Sequence, residues 1–171
     1  MRQGFFACAL LFVACGEPDE IDVKEGEQED AFCDASCTRD LQCGRDGTLD
    51  ACKGICKANV SGIENYRPEG VEIVAECILD LPCSKFYGND SFIPCWERAE
   101  REIDPTASTR RFCRAWSTRW FECGASYSIE TCESEWAINS ASFLEKMSVC
   151  IESSCATIEA CADNVRMAAA E

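Results

Sequence analysis

Hydrophobic and polar positions divide this chain into three stretches of different texture. Gly4 to Ala14 is apolar and uncharged, carrying Phe5, Phe6, Leu10, Leu11, Phe12 and Val13. Glu17 to Asp30 inverts that pattern: eight of its fourteen residues are Asp or Glu, and only Ile21 and Val23 are large and apolar. Beyond it, apolar residues recur at helical spacing, as in Phe112, Trp116 and Trp120, which lie one turn apart on a single face. No alternating run of β-branched residues extends beyond a few positions, so no strands are predicted. The fold class expected is all-α.

Chain breakers bound the helices. Asp104 followed by Pro105 suits a helix start, Gly124 a helix stop, and Thr48 and Ser128 the cap of the helix after the turn. Gly62 and Pro68 bound a connection to a further helix. The same order occurs twice. At an offset of eighty positions Phe32-Cys33 falls on Phe112-Cys113, Cys43-Gly44 on Cys123-Gly124, and Cys52 on Cys132. Ala35, Thr38 and Arg39 also find identical partners in Ala115, Thr118 and Arg119. A two-residue slip then places Cys77 and Cys83 on Cys155 and Cys161. An internal repeat of this kind predicts two related units, each a helical hairpin plus a further helix, over residues 31–103 and 104–171.

The opening run spans only about half of a ~30 Å hydrocarbon core at ~1.5 Å per residue. With Met1-Arg2-Gln3 before it, it reads as a signal peptide over residues 1–14. Its end, Phe12-Val13-Ala14-Cys15 followed by Gly16, resembles the lipobox of bacterial lipoproteins. The Leu usual three residues before the cysteine is here Phe12, with Leu11 one place further out. The resemblance implies acylation of Cys15, cleavage before it and a membrane attachment through lipid. Gly16, in place of the Asp that resembles an inner-membrane retention signal, favours the outer membrane. Residues 15–30 are then the lipidated cysteine and a self-repelling acidic tether. In architecture the chain resembles uncharacterised cysteine-rich envelope lipoproteins of delta-proteobacteria, which implies no particular activity.

Sixteen cysteines in 171 residues point to a disulfide scaffold in an oxidising compartment. Setting aside Cys8 and Cys15 leaves an even fourteen, as full bridging requires. Cys37 and Cys56 align with Ser117 and Trp136, so the second copy lacks both, and the expected bridge is Cys37–Cys56. The hairpin turn suggests Cys43–Cys52 and Cys123–Cys132. Elimination then offers Cys33–Cys77, Cys113–Cys155, Cys83–Cys95 and Cys150–Cys161, one set among many connectivities.

The formal net charge is −15, and residues 31–171 are acidic as well, which disfavours nucleic acid as a partner. The chain has no histidine, which removes Ser-His-Asp and Cys-His catalysis and most catalytic zinc sites. No Cys-x-x-Cys, phosphate loop or nucleophile elbow occurs, and no metal or cofactor is expected. Against the acidic background Arg110, Arg111, Arg114 and Arg119 cluster with Trp116 and Trp120 as a possible binding segment. The function expected is a non-enzymatic, surface-displayed module binding an envelope protein or glycan. A small-molecule or inhibitor-type binder and a carboxylate-based hydrolase are the alternatives.

Overall fold

The computed structural model describes residues 26–87 and 91–168. Cys8, Cys15 and the lipobox lie outside the described residues, as does most of the acidic stretch. The described residues form nine α-helices and no strand. These are α1 Glu27–Gln42, α2 Leu49–Asn59, α3 Pro68–Asp80, α4 Cys83–Phe86, α5 Ile93–Glu102, α6 Ala107–Glu122, α7 Ile129–Trp136, α8 Ala141–Ser148 and α9 Ile158–Ala168, with 3-10 turns at Ile63–Asn65 and Val149–Glu152.

Two of the expected caps are present in atomic detail. Thr48 Oγ1 accepts from the Ala51 amide at 3.3 Å, and Ser128 Oγ from the Thr131 amide at 3.0 Å. Gly44 and Gly124 follow α1 and α6 with φ of 94° and 81°, a left-handed conformation that glycine adopts without a Cβ penalty. The expected start of α6 is displaced. Its cap is Thr106, whose Oγ1 accepts from the Thr109 amide at 3.1 Å, rather than Asp104 with Pro105. The acidic stretch is also not tether throughout. Glu27 to Asp30 form the first turn of α1, where three carboxylates face the positive end of the helix dipole and Asp30 pairs with Lys57.

Two core clusters hold the helices. In the first, α3 presents Val71, Val74, Ala75 and Ile78 on one face towards α1 and α5, around Phe32, Ala99 and Ile103. Val74 and Ile78 are fully buried, contributing roughly 2 kcal/mol each. The second gathers Phe112, Trp116, Trp136, Phe143, Leu144, Met147 and Ile158 from α6 to α9. Ala137 and Ile138, just after α7, belong to the first cluster and lock the halves together. At this seam the Arg67 amide donates to Ile138 O at 2.7 Å and the Ser140 amide to Asn65 O at 2.8 Å. Arg67 Nη1 also donates to Asp104 O and Ala137 O, at 2.8 and 3.0 Å.

All fourteen described cysteines are bridged, and the pairing corrects most of the expected set. The bridges are Cys33–Cys56, Cys37–Cys52, Cys43–Cys83, Cys77–Cys95, Cys113–Cys132, Cys123–Cys155 and Cys150–Cys161. Of the expected pairs only Cys150–Cys161 is found. Cys37–Cys56 fails for a geometric reason. In an antiparallel hairpin, cysteines one turn apart on each helix meet as two rungs, the outer pair together and the inner pair together. Cys37 therefore meets Cys52 and Cys33 meets Cys56, each pair with Cα atoms 5.7 Å apart. Cys43–Cys52 and Cys123–Cys132 fail because Cys43 and Cys123 sit past the helix ends and face the later helices. They bridge Cys83 and Cys155, which excludes Cys83–Cys95 and Cys113–Cys155, while Cys33–Cys56 and Cys77–Cys95 exclude Cys33–Cys77.

Cys37 and Cys56, which have no cysteine at the offset positions Ser117 and Trp136, are not each other's partners. The second hairpin keeps Cys113 and Cys132, and these bridge each other because α7 sits one helical turn further along α6 than α2 does along α1. Trp136, which the eighty-residue offset places on Cys56, packs against Phe112 instead, with ring centroids 5.0 Å apart.

Candidate functional site

The arginine cluster and the tryptophans expected to share a site lie on opposite faces of α6. At about 100° per residue Arg111 and Arg114 point away from both tryptophans, and Arg110 and Arg119 lie at the edges between the two faces. Trp116 is buried and Trp120 half-buried, stacked edge to face with centroids 6.1 Å apart. Trp116 also packs on Phe112 at 5.4 Å and near Trp136 at 6.2 Å. The Trp116 and Trp120 spacing thus belongs to the core seam, and a joint Arg–Trp platform is not formed.

The arginines do converge. Arg110, Arg111, Arg114 and Arg119 line one open groove of about 880 Å³ between α6 and the 3-10 turn Val149–Glu152. Ala107 and Ala115 on α6 keep its floor shallow, and Ile151 forms an apolar patch on the opposite wall. Arg119 is tied down: it pairs with Glu122 at 3.0 Å and donates to Ser153 O. The carboxylates of the groove, Glu122 and Glu152, therefore sit at the Arg119 end. Towards the start of the helix Arg111 and Arg114 are exposed and Arg110 is half-buried, with Arg111 reaching Ser108 Oγ at 3.4 Å.

No protein family, curated protein or solved structure matches the chain. The groove's chemistry must then be read from its own atoms. Guanidinium groups on a shallow floor offer planar, multidentate donors to phosphate, sulfate or carboxylate. Nothing in the groove supplies a nucleophile activated by a base. Among the described residues no group of three or more Cys, Asp and Glu is arranged to hold a metal ion.

Sequence reasoning located Arg110, Arg111 and Arg114 but missed the second wall. Ile151 and Glu152 follow α6 by some thirty residues, and no local pattern joins them to it. They are brought there by Cys123–Cys155, which ties the chain just after the 3-10 turn to the end of α6, while Cys150–Cys161 fastens the turn itself to α9.

Proposed function

We propose that this chain is a non-enzymatic, lipid-anchored cell-envelope protein whose α6 groove binds an anionic partner, a sulfated or phosphorylated glycan or an acidic protein surface. The observation that carries the reading is the groove itself: four arginines lining one concavity in a chain of net charge −15. Clustering against such a background opposes the average field of the molecule and makes the groove the natural landing point for an anion. The bridges keep the groove rigid, so little ordering entropy is lost on binding. Attachment through Cys15, and duplication of one ancestral unit to give the two halves, belong to the same proposal. The duplication is supported by the order of bridging, Cys43–Cys83 then Cys77–Cys95 beside Cys123–Cys155 then Cys150–Cys161, which matches Cys83 with Cys155 and Cys77 with Cys150 in place of the two-residue slip.

The test is retention on heparin or a phosphorylated matrix. Arg110→Ala, Arg111→Ala and Arg114→Ala combined should leave far-UV circular dichroism unchanged, lower the salt needed for elution and flatten its salt dependence. Elution at the same salt as wild type would refute the groove assignment. The hydrolase alternative has one observation in its favour, that Glu100 and Glu135 line a common cleft. Release of reducing ends from envelope glycans, lost in Glu135→Gln, would establish it.

A further inference from the structure

The cleft that contains Glu100 and Glu135 lies at the meeting of the two halves, well away from the arginine groove. It has a volume of about 360 Å³, in the range of small-ligand sites. Tyr66 and Trp136 supply aromatic walls, Glu100 comes from α5 and Glu135 from α7, and Arg166 reaches in from α9. The Arg166 guanidinium lies over the Trp136 ring, 5.3 Å from its centroid. A second cleft of about 450 Å³, lined by Trp116, Trp120, Tyr127 and Asp163, shares Trp136 and Arg166 with the first. Trp136 and Arg166 thus form the wall common to two adjoining clefts, together an aromatic and acidic trough.

We propose that this trough is a recognition site for an organic cation, a guanidinium or alkylammonium group, and that Arg166 holds the place such a group would take. Three features support the assignment. A cation is attracted to the face of an indole ring, and the molecule already uses Trp136 in that way. The negative groups outnumber the resident cation: Glu100 and Glu135 line the first cleft and Asp163 the second, against Arg166 shared by both. Burial, together with the charges of Glu135 and Glu97 and against that of Arg101, keeps the Glu100 carboxyl above the usual carboxylate range, as expected where counter-charge is incomplete. Tyr127 donates to Glu135 and fixes that carboxylate; burial foremost, aided by this bond, pushes the phenol up to about 12.

Arg166 is also weakly held. Its ion pair is with Asp163 on its own helix at 3.5 Å, and its side chain is 54% exposed. Exposed pairs of this kind contribute little, so displacing the arginine costs little. A ligand cation could then settle on Trp136 between the two glutamates.

The experiment is calorimetric titration of the full chain in detergent with argininamide, tetramethylammonium and glucose at constant ionic strength. Arg166→Ala should bind argininamide about tenfold more tightly than wild type, since the competing guanidinium is gone. Arg166→Met, which keeps an apolar cover on Trp136, should behave similarly. Glu100→Gln combined with Glu135→Gln should weaken binding by about tenfold or more, while the Arg110, Arg111 and Arg114 variant should not change it. A blocked Gly-Arg-Gly peptide binding more tightly than argininamide would assign the cation to a protein partner, and the reverse order to a free small molecule. The proposal is overturned if Arg166→Ala and Arg166→Met gain nothing, if the glutamine pair binds argininamide as wild type does, or if glucose binds more tightly than both cations.

Discussion

Single atoms decide how closely the two halves of this molecule approach. Gly70 sits in the first turn of α3, where an added Cβ would come within 2.5 Å of Ile138 Cγ1 and 2.9 Å of Ile103 Cδ1. Both isoleucines are buried, so neither can swing away without opening the core. Gly70→Ala should therefore destabilise the protein by about 1–2 kcal/mol despite alanine's better helix propensity, measured by urea titration. A stabilising result would show that the seam is looser than its contacts indicate. Glu100 makes a second prediction at this scale. Its carboxyl binds its proton more tightly in the folded chain than at its ordinary value of 4.5, so stability falls as pH rises from 4.5 through the raised value. Glu100→Gln escapes that loss. Its melting temperature should exceed that of wild type at pH 7, and the difference should vanish below pH 4.5. A gap that persists at pH 4 would trace the effect to something other than ionisation.

At the scale of elements, the informative quantity is how far one helix slides along its neighbour. The first hairpin carries two rungs, Cys33–Cys56 and Cys37–Cys52, and the second only Cys113–Cys132. Digestion with Asp-N and trypsin cuts before Asp34 and after Lys53, separating all four cysteines of the first hairpin. Asp30–Cys33 should then be recovered joined to Gly54–Lys57, and Asp34–Arg39 joined to Asp50–Lys53. Stability should follow the same logic. Removing Cys113–Cys132 as an alanine pair should cost about 3 kcal/mol. Removing Cys37–Cys52 should cost clearly less, because Cys33–Cys56 still closes nearly the same loop. Equal losses would refute the idea that the rungs back each other up. The helical hairpins were legible in the sequence because Thr48, Ser128, Gly44 and Gly124 act locally, through caps and φ angles. The register of the second hairpin was not, because the packing of Trp136 on Phe112 is a long-range fact with no local signature. For the same reason Arg110, Arg111 and Arg114 could be found as neighbours on one helix. Trp116 and Trp120 share the face of Phe112, as their spacing indicates, and the Glu100–Glu135 cleft, built from distant elements, has no local signature.

The described residues form an acidic body with two small cores and seven covalent staples, and cores of this size need such help. No described helix is long and apolar enough to cross a membrane. The proposed attachment predicts a mature chain that starts at Cys15 and carries acyl chains on its sulfur and amine. Two or three chains would hold it stably at a bilayer, since each buried CH₂ adds ~0.8 kcal/mol. Intact-mass measurement of membrane-extracted protein checks this, and an unmodified chain starting at Met1 or Gly16 would sink it. The staples also impose an order in time. Every bridge closes within its own half, and the widest, Cys43–Cys83, spans a separation of 40 residues. A chain delivered N-terminus first presents all its leading thiols, through Cys95, before Cys113 arrives. If oxidation keeps pace with delivery, the trailing thiols emerge to find no unclaimed partner upstream, and scrambling between halves is avoided by sequence of arrival instead of by later repair.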